Sequence, residues 1–232
     1  MKIAIDSANL RLNRKYYTSD ASKYCFVPIM KNAHSFGLGY FSSLLDFKEV
    51  KNIGNDKEFI IFLRDPMSRW FTGVTEYFYR HYNLEGKLIE NPDDYLVTTK
   101  DDPYRKHLIL DKEVLNFVFN AVRLDYHTDL QIYTLLGLNK HKCVFFNVSD
   151  ANFSEHLNRF SLHYCKKNPA KVFQDNTKTY PHINSSKGNS FKESLLKQLR
   201  EYADRNPKLF QNVIDYYYHD YALYRNAKFF RG

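Results

Sequence analysis

Two short segments carry the residue types that could do chemistry, and in both a basic residue closes an apolar run. The first is Tyr24-Cys25-Phe26-Val27-Pro28-Ile29-Met30, followed by Lys31-Asn32-Ala33-His34-Ser35. The second is Phe59-Ile60-Ile61-Phe62-Leu63, followed by Arg64-Asp65-Pro66, with Arg69 and Thr72 further on. Each reads as a strand, a loop and the start of a helix. A helix N-terminus offers backbone N–H groups and a partial positive charge. Lys31 adds a full charge and Ser35 a hydroxyl, so the first corner suits a phosphate; a solvated lysine at a helix start accounts for the same residues. Arg64 and Thr72 bring a guanidinium and a hydroxyl to the second corner. There the plainer account is Asp65 pairing with Arg69 at i,i+4. The two corners lie 33 positions apart, Lys31 to Arg64. Two anion sites on neighbouring strand ends suit a nucleotide phosphorylated at both ends of its ribose. The loop is not of Walker A type, because GxxxxGK[ST] is missing and no glycine lies between Lys31 and Ser35.

The elements that must position these residues alternate between apolar strands and amphipathic helices. That order predicts an α/β fold, with a central, mostly parallel sheet flanked by helices. Strands are expected at 24–30, 59–63 and 143–148. A helix should run from the Ser35 loop to about Leu45. Asp65 as N-cap and Pro66 as first helical residue open the next one, with Trp70, Phe71, Val74, Tyr77 and Phe78 on one face. Asp111 should cap a helix carrying Leu115, Val118, Phe119 and Val122, and Ser154 one carrying Leu157, Phe160 and Tyr164. Ser190 and Glu193 form a capping box. Asn206-Pro207 opens a last helix with Leu209, Phe210, Val213, Ile214 and Tyr217 inward. Residues 84–106 and about 168–189 read as polar loops, the first a plain surface loop or a segment lining an acceptor cleft. No linker is long enough to separate two domains, so residues 1–232 read as one.

The chain carries 34 basic and 26 acidic residues, a formal charge of +8. That excess suits anionic partners or a merely soluble basic surface. No apolar run approaches the ~20 residues a membrane helix needs. The stretch after Met1 has no apolar block of the signal-peptide kind, which points to a cytoplasmic protein. The three cysteines, Cys25, Cys143 and Cys165, include no CxxC pair and read as reduced core thiols. HExxH and Cys/His zinc spacings are absent, so no metal is expected. The run Tyr216-Tyr217-Tyr218 reads as packing, with sugar stacking as the other account.

The two corners resemble a known family: the sulfotransferases that use 3′-phosphoadenosine 5′-phosphosulfate (PAPS), in their carbohydrate branch of heparan sulfate and HNK-1 type. Residues Val27–Ser35 look like the family's 5′-phosphosulfate loop, P-K-x-A-x-[ST]. Residues Phe62–Thr72 look like its 3′-phosphate motif, [FL]-x-R-D-P-x-x-R-x-x-S. Asp125-Tyr126-His127 with Gln131 resembles a His-x-x-x-Gln segment. Tyr180-Pro181-His182-Ile183-Asn184-Ser185-Ser186-Lys187-Gly188 resembles a late His-x-Asn-x-Ser segment with its Lys-Gly clamp; His182 and Asn184 otherwise shape a turn. Tyr217, with Asp220-Tyr221-Ala222-Leu223-Tyr224, resembles the closing helix. The matches run from about residue 24 to 225. Departures are Met30 between proline and lysine, His34 where a small residue is usual, and Thr72 for serine.

The resemblance implies a P-loop-like three-layer fold and an O-sulfotransferase with PAPS as donor, adenosine 3′,5′-bisphosphate (PAP) as product and no metal. The acceptor is a hydroxyl, on a glycan or another molecule. Lys31, Asn32, Ala33, His34, Ser35 and Phe36 would surround the 5′ end of the donor. Arg64, Thr72, Lys187 and Gly188 would hold its 3′-phosphate. Lys31 would stabilise the leaving phosphate. The family's general base is a His or Glu, usually between the two phosphate motifs. That interval offers Asp46, Glu49, Asp56 and Glu58, of which Glu49 lies near the position used by glutamate-based members. His127 and His34 are the other candidates. Two further readings remain: a kinase with an atypical phosphate loop, and a basic nucleic-acid-binding module, whose usual motifs are absent.

Overall fold

The structure, a computed structural model, describes residues 14–54, 56–81, 109–166 and 190–231. In chain order its elements are β1 (Tyr16–Thr18), β2 (Tyr24–Val27), α1 (His34–Leu45), β3 (Lys48–Val50), β4 (Glu58–Leu63), α2 (Pro66–His81) and α3 (Lys112–Ala121). There follow α4 (Gln131–Leu135), a 3₁₀ turn (Lys140–Lys142), β5 (Cys143–Asn147), α5 (Phe153–His163), α6 (Ser190–Arg205), α7 (Pro207–Tyr216) and α8 (Tyr218–Asn226). They group into two compact units. A sheet unit holds described residues from 14–65, 130–166 and 220–231; a helical unit holds those from 66–129 and 190–219.

The sheet unit is an α/β structure around five strands in the order β3-β1-β2-β4-β5. β2, β4 and β5 pair in parallel, with Val27 opposite Ile61 and Ile61 opposite Phe145. β1 pairs antiparallel with both β2 and β3, so the sheet is mixed rather than mostly parallel. Successive strand side chains point to opposite faces, and both faces are covered. Phe26, Ile60, Phe62 and Phe146 pack with Phe41 and Leu44 of α1 and with Leu157 and Phe160 of α5. Cys25, Val27, Ile61 and Leu63 pack on the other face, against Leu135 of α4 and Leu223 of α8. Burial on both faces is why β2 and β4 read as unbroken apolar runs. The start of α1 lies very close to the sheet. A Cβ on Gly37 would stand 2.4 Å from the Phe26 ring, so only glycine fits there.

In the helical unit α2 buries the face its periodicity predicts, Trp70, Phe71, Val74, Tyr77 and Phe78. Trp70 packs edge-on to Phe119 of α3 at 5.0 Å, and its indole N–H donates to the Val122 carbonyl at 2.8 Å. Asp111 caps α3 as expected, accepting from the Val114 N–H at 2.8 Å. Across α2 and α6, the buried Glu76 accepts from Lys192 Nζ at 2.6 Å and from Arg80 Nε at 2.8 Å.

Two helix boundaries differ from expectation. α5 starts at Phe153 with Asn152, not Ser154, at the N-cap. The preceding turn, closed by Phe153 N–H to the Asp150 carbonyl at 3.1 Å, already sets the helix going. The expected last helix ends at Tyr216, and α8 begins at Tyr218. Between them the Tyr217 ring is fully buried and its hydroxyl donates to the Thr128 carbonyl. Tyr218 is exposed, so packing accounts for only part of the tyrosine run.

Candidate functional site

The first corner is a strained loop. After β2, Lys31 (φ 65°) and Ala33 (φ 54°) both occupy the left-handed region, with Asn32 between them. Such conformations cost of order 1–3 kcal/mol for a non-glycine residue and persist only where the surroundings enforce them. Here the enforcing residue is Asn32. It is fully buried, its backbone N–H donates to Ile29 O at 3.1 Å and its side-chain amide donates to Phe62 O at 2.8 Å. The loop delivers the chain into α1 at His34. Ala33, the N-cap, brings no side-chain acceptor to the first-turn N–H groups, which keeps that end of the helix suited to an anion. Ser35 is the second residue of α1. Phe36 turns toward the core, 5.8 Å from the Tyr40 ring and 5.9 Å from the Phe153 ring.

The second corner lies beside the first because β2 and β4 are parallel neighbours. Arg64 follows directly on β4, and its Nη1 donates to the Lys31 carbonyl at 3.2 Å. The Asp65 N–H donates to Ser149 Oγ at 3.1 Å, just beyond β5. The Lys31 loop, Arg64 and Ser149 therefore meet at the carboxyl ends of three parallel strands, where open α/β sheets bind ligands. Two other residues of this motif lie in the helical unit. Arg69 is buried and donates to the Asp129 carbonyl. Thr72 Oγ donates to Ser68 O and Arg69 O, both at 2.9 Å, within its own helix.

The candidate bases have unlike surroundings. His34, the first residue of α1, is half-buried; burial first, then the charges of Lys15 and Lys31, hold its imidazole below the ordinary value of 6.5. It is therefore neutral near pH 7, able to accept a proton. Glu49 stands on edge strand β3, half-exposed. Lys15 Nζ lies 3.1 Å from its carboxylate and the Tyr17 hydroxyl 2.9 Å, and both hold its pKa down. Tyr17, pushed up to about 12 by burial and by Glu49, stays a donor. His127 is fully buried in the helical unit, its Nδ1 2.7 Å from Asp125 Oδ2 and its ring 3.9 Å from that of Tyr126. The Asp125 carboxylate accepts from Nδ1–H there. Of the other acids, Asp46 caps the C-terminus of α1 and Glu58 pairs with Lys23 at 3.2 Å at the far end of β4. The expectations on Lys187, Gly188, His182, Asn184 and residues 84–106 lie outside the described residues.

The sequence flagged Gln131 only within a motif and gave Asp220 no role. Gln131 is fully buried; its Oε1 accepts from Asn32 Nδ2 at 2.5 Å and from the Arg64 N–H at 3.0 Å, and its Nε2 donates to the Arg64 carbonyl at 3.0 Å. The local pattern does not show what either residue bonds to, since their partners are distant in sequence. The cysteines are free thiols, and burial pushes Cys25 up to about 12 and Cys143 and Cys165 up to about 11. Among the described residues no group of three or more His, Cys, Asp or Glu could hold a metal ion, and no helix is long and apolar enough to cross a membrane. No family model matches the chain, and no curated protein or solved structure does either.

Proposed function

We propose that this protein is a PAPS-dependent O-sulfotransferase of P-loop-like fold, acting on a carbohydrate hydroxyl. The observation that carries the reading is the junction of its two phosphate motifs. The Lys31 loop and Arg64 lie at adjacent parallel strand ends, with the guanidinium 3.2 Å from the Lys31 carbonyl. A lysine at a helix start beside an arginine suits a donor with phosphate at both ends of its ribose, which ATP is not. In this reading the acceptor oxygen bonds to sulfur as the bond from sulfur to the 5′-phosphate oxygen breaks. The bonding pair leaves with that oxygen. Lys31 and the N–H groups at the start of α1 stabilise the charge that grows there. Ser35 bonds the 5′-phosphate and Arg64 the 3′-phosphate. His34 is the favoured proton acceptor, because it is neutral near pH 7 and next to this loop. Glu49 is already committed to Lys15 and Tyr17, and His127 is buried.

The test is a thermal-shift titration with PAP, against ADP and AMP. Ligand at 100 times Kd adds about 2.7 kcal/mol, or roughly 5–10 °C in Tm for a chain of this size. A shift with PAP alone supports the donor site. An equal shift with ADP turns the reading to a kinase. No shift with any of them, with binding to nucleic acid that falls steeply with salt, turns it to a nucleic-acid module.

A further inference from the structure

We infer that Gln131 is a positioning residue that sets the Lys31 loop against Arg64, and that Asp220 of the C-terminal helix holds it there. The inference rests on the reading of these corners as one donor site. A single primary amide here serves both corners. Gln131 Oε1 takes hydrogen bonds from Asn32 Nδ2 and the Arg64 N–H, and Nε2 returns one to the Arg64 carbonyl. Both acceptor positions of that oxygen are then used. Bonding both backbone groups of one residue is what a neighbouring strand does. The Val148 N–H bonds the Leu63 carbonyl on the β5 side, so Arg64 turns its backbone groups to the β2 side, where β2 pairs only as far as Val27, opposite Ile61, and the Gln131 amide stands in for a strand. Arg64 is fixed at the backbone in this way, and its guanidinium reaches the Lys31 carbonyl. Asn32, locked by the same amide, sits between the two left-handed residues of the loop.

Gln131 is held in turn from a third part of the chain. It opens α4, whose N-cap Leu130 has no side-chain acceptor. The buried Asp220 carboxylate supplies it, accepting from the Gln131 N–H at 2.7 Å and the Ile132 N–H at 2.9 Å. A carboxylate is well placed at that end of a helix. The line from α8 through α4 to the two corners thus runs through the buried side chains of Asp220, Gln131 and Asn32.

The test compares wild-type protein with Gln131→Glu and Asp220→Asn, by PAP calorimetry, amide hydrogen exchange and urea denaturation. Gln131→Glu keeps the shape and the acceptor but turns an oxygen toward the Arg64 carbonyl. It is expected to weaken PAP binding about 10- to 100-fold, the scale of a small misplacement of binding groups. Exchange should speed up over residues 31–36 and at Arg64 while β2 and β5 stay protected. At pH near 5 the introduced carboxyl takes up a proton and donates as the amide did, so the gap to wild type narrows. A general loss of packing would show no such rescue. Asp220→Asn keeps one acceptor and turns N–H toward the other backbone N–H, and a smaller, equally local effect is expected. Wild-type affinity and exchange in both variants would overturn the inference while the donor reading stands. So would uniform loosening of the sheet. If wild-type protein binds no PAP, the donor reading falls, and local against uniform exchange still decides the role of Gln131.

Discussion

The sheet unit and the helical unit both bury polar side chains, but they bond them to different things. In the helical unit the buried Glu76 meets charged partners, Lys192 and Arg80, while the buried Arg69 donates to the Asp129 carbonyl. In the sheet unit, Asn32, Gln131 and Asp220 bond largely to backbone N–H and carbonyl groups at strand ends and helix starts. The Glu76–Lys192 pair ties α2 to α6, so it acts on stability. The sheet-unit arrangement fixes the course of the Lys31 loop.

Five substitutions test that contrast. The largest effect is expected from Glu76→Ala, which leaves the buried Lys192 ammonium without its carboxylate and should cost about 3–5 kcal/mol in urea denaturation. A cost under about 1 kcal/mol would mean that this pair is not what ties α2 to α6. If the proposed reading holds, Lys31→Ala slows sulfuryl transfer about 10²- to 10³-fold while the urea midpoint stays near wild type. Unchanged turnover would remove Lys31 from the chemistry. Gly37→Ala should cost about 1–3 kcal/mol, because its Cβ would overlap the Phe26 ring at the start of α1. A neutral result would show that α1 can shift outward without loss.

The smallest effect concerns His34. Its folded pKa lies below the ordinary 6.5, by burial and then by Lys15 and Lys31. The stability linked to this group is present above pH 6.5 and is lost as pH falls through the folded value, because the unfolded chain takes up the proton first. His34→Gln should flatten that part of the stability profile. Lys15→Ala should raise the His34 titration midpoint, seen by NMR, with under about 1 kcal/mol change in stability, since Lys15 meets Glu49 at an exposed site. A midpoint that does not move would remove Lys15 from the electrostatics of the site.

The parallel strands and most helices were legible because their causes are local. Both-face burial makes β2 and β4 continuous apolar runs, and Pro66 and Asp111 mark helix starts directly. β1 and β3 were not legible. Each has three residues, and β3 is Lys48-Glu49-Val50, largely exposed and without an apolar face. Within the candidate site, Lys31, Ser35 and Arg64 stood out by residue type at a corner. Asn32 was expected around the donor, yet its side chain is spent inside the protein.

The sequence by itself determined the strand–loop–helix corners and the residues at them, because hydrophobic period and capping chemistry act over a few residues. Only the tertiary structure decided that the corners share a strut. The partners of Gln131 lie 99 and 67 positions away at Asn32 and Arg64, and Asp220 lies 89 positions beyond it. A buried hydrogen bond over such a separation is set by how the sheet and helices pack, and it leaves no periodic trace in the chain.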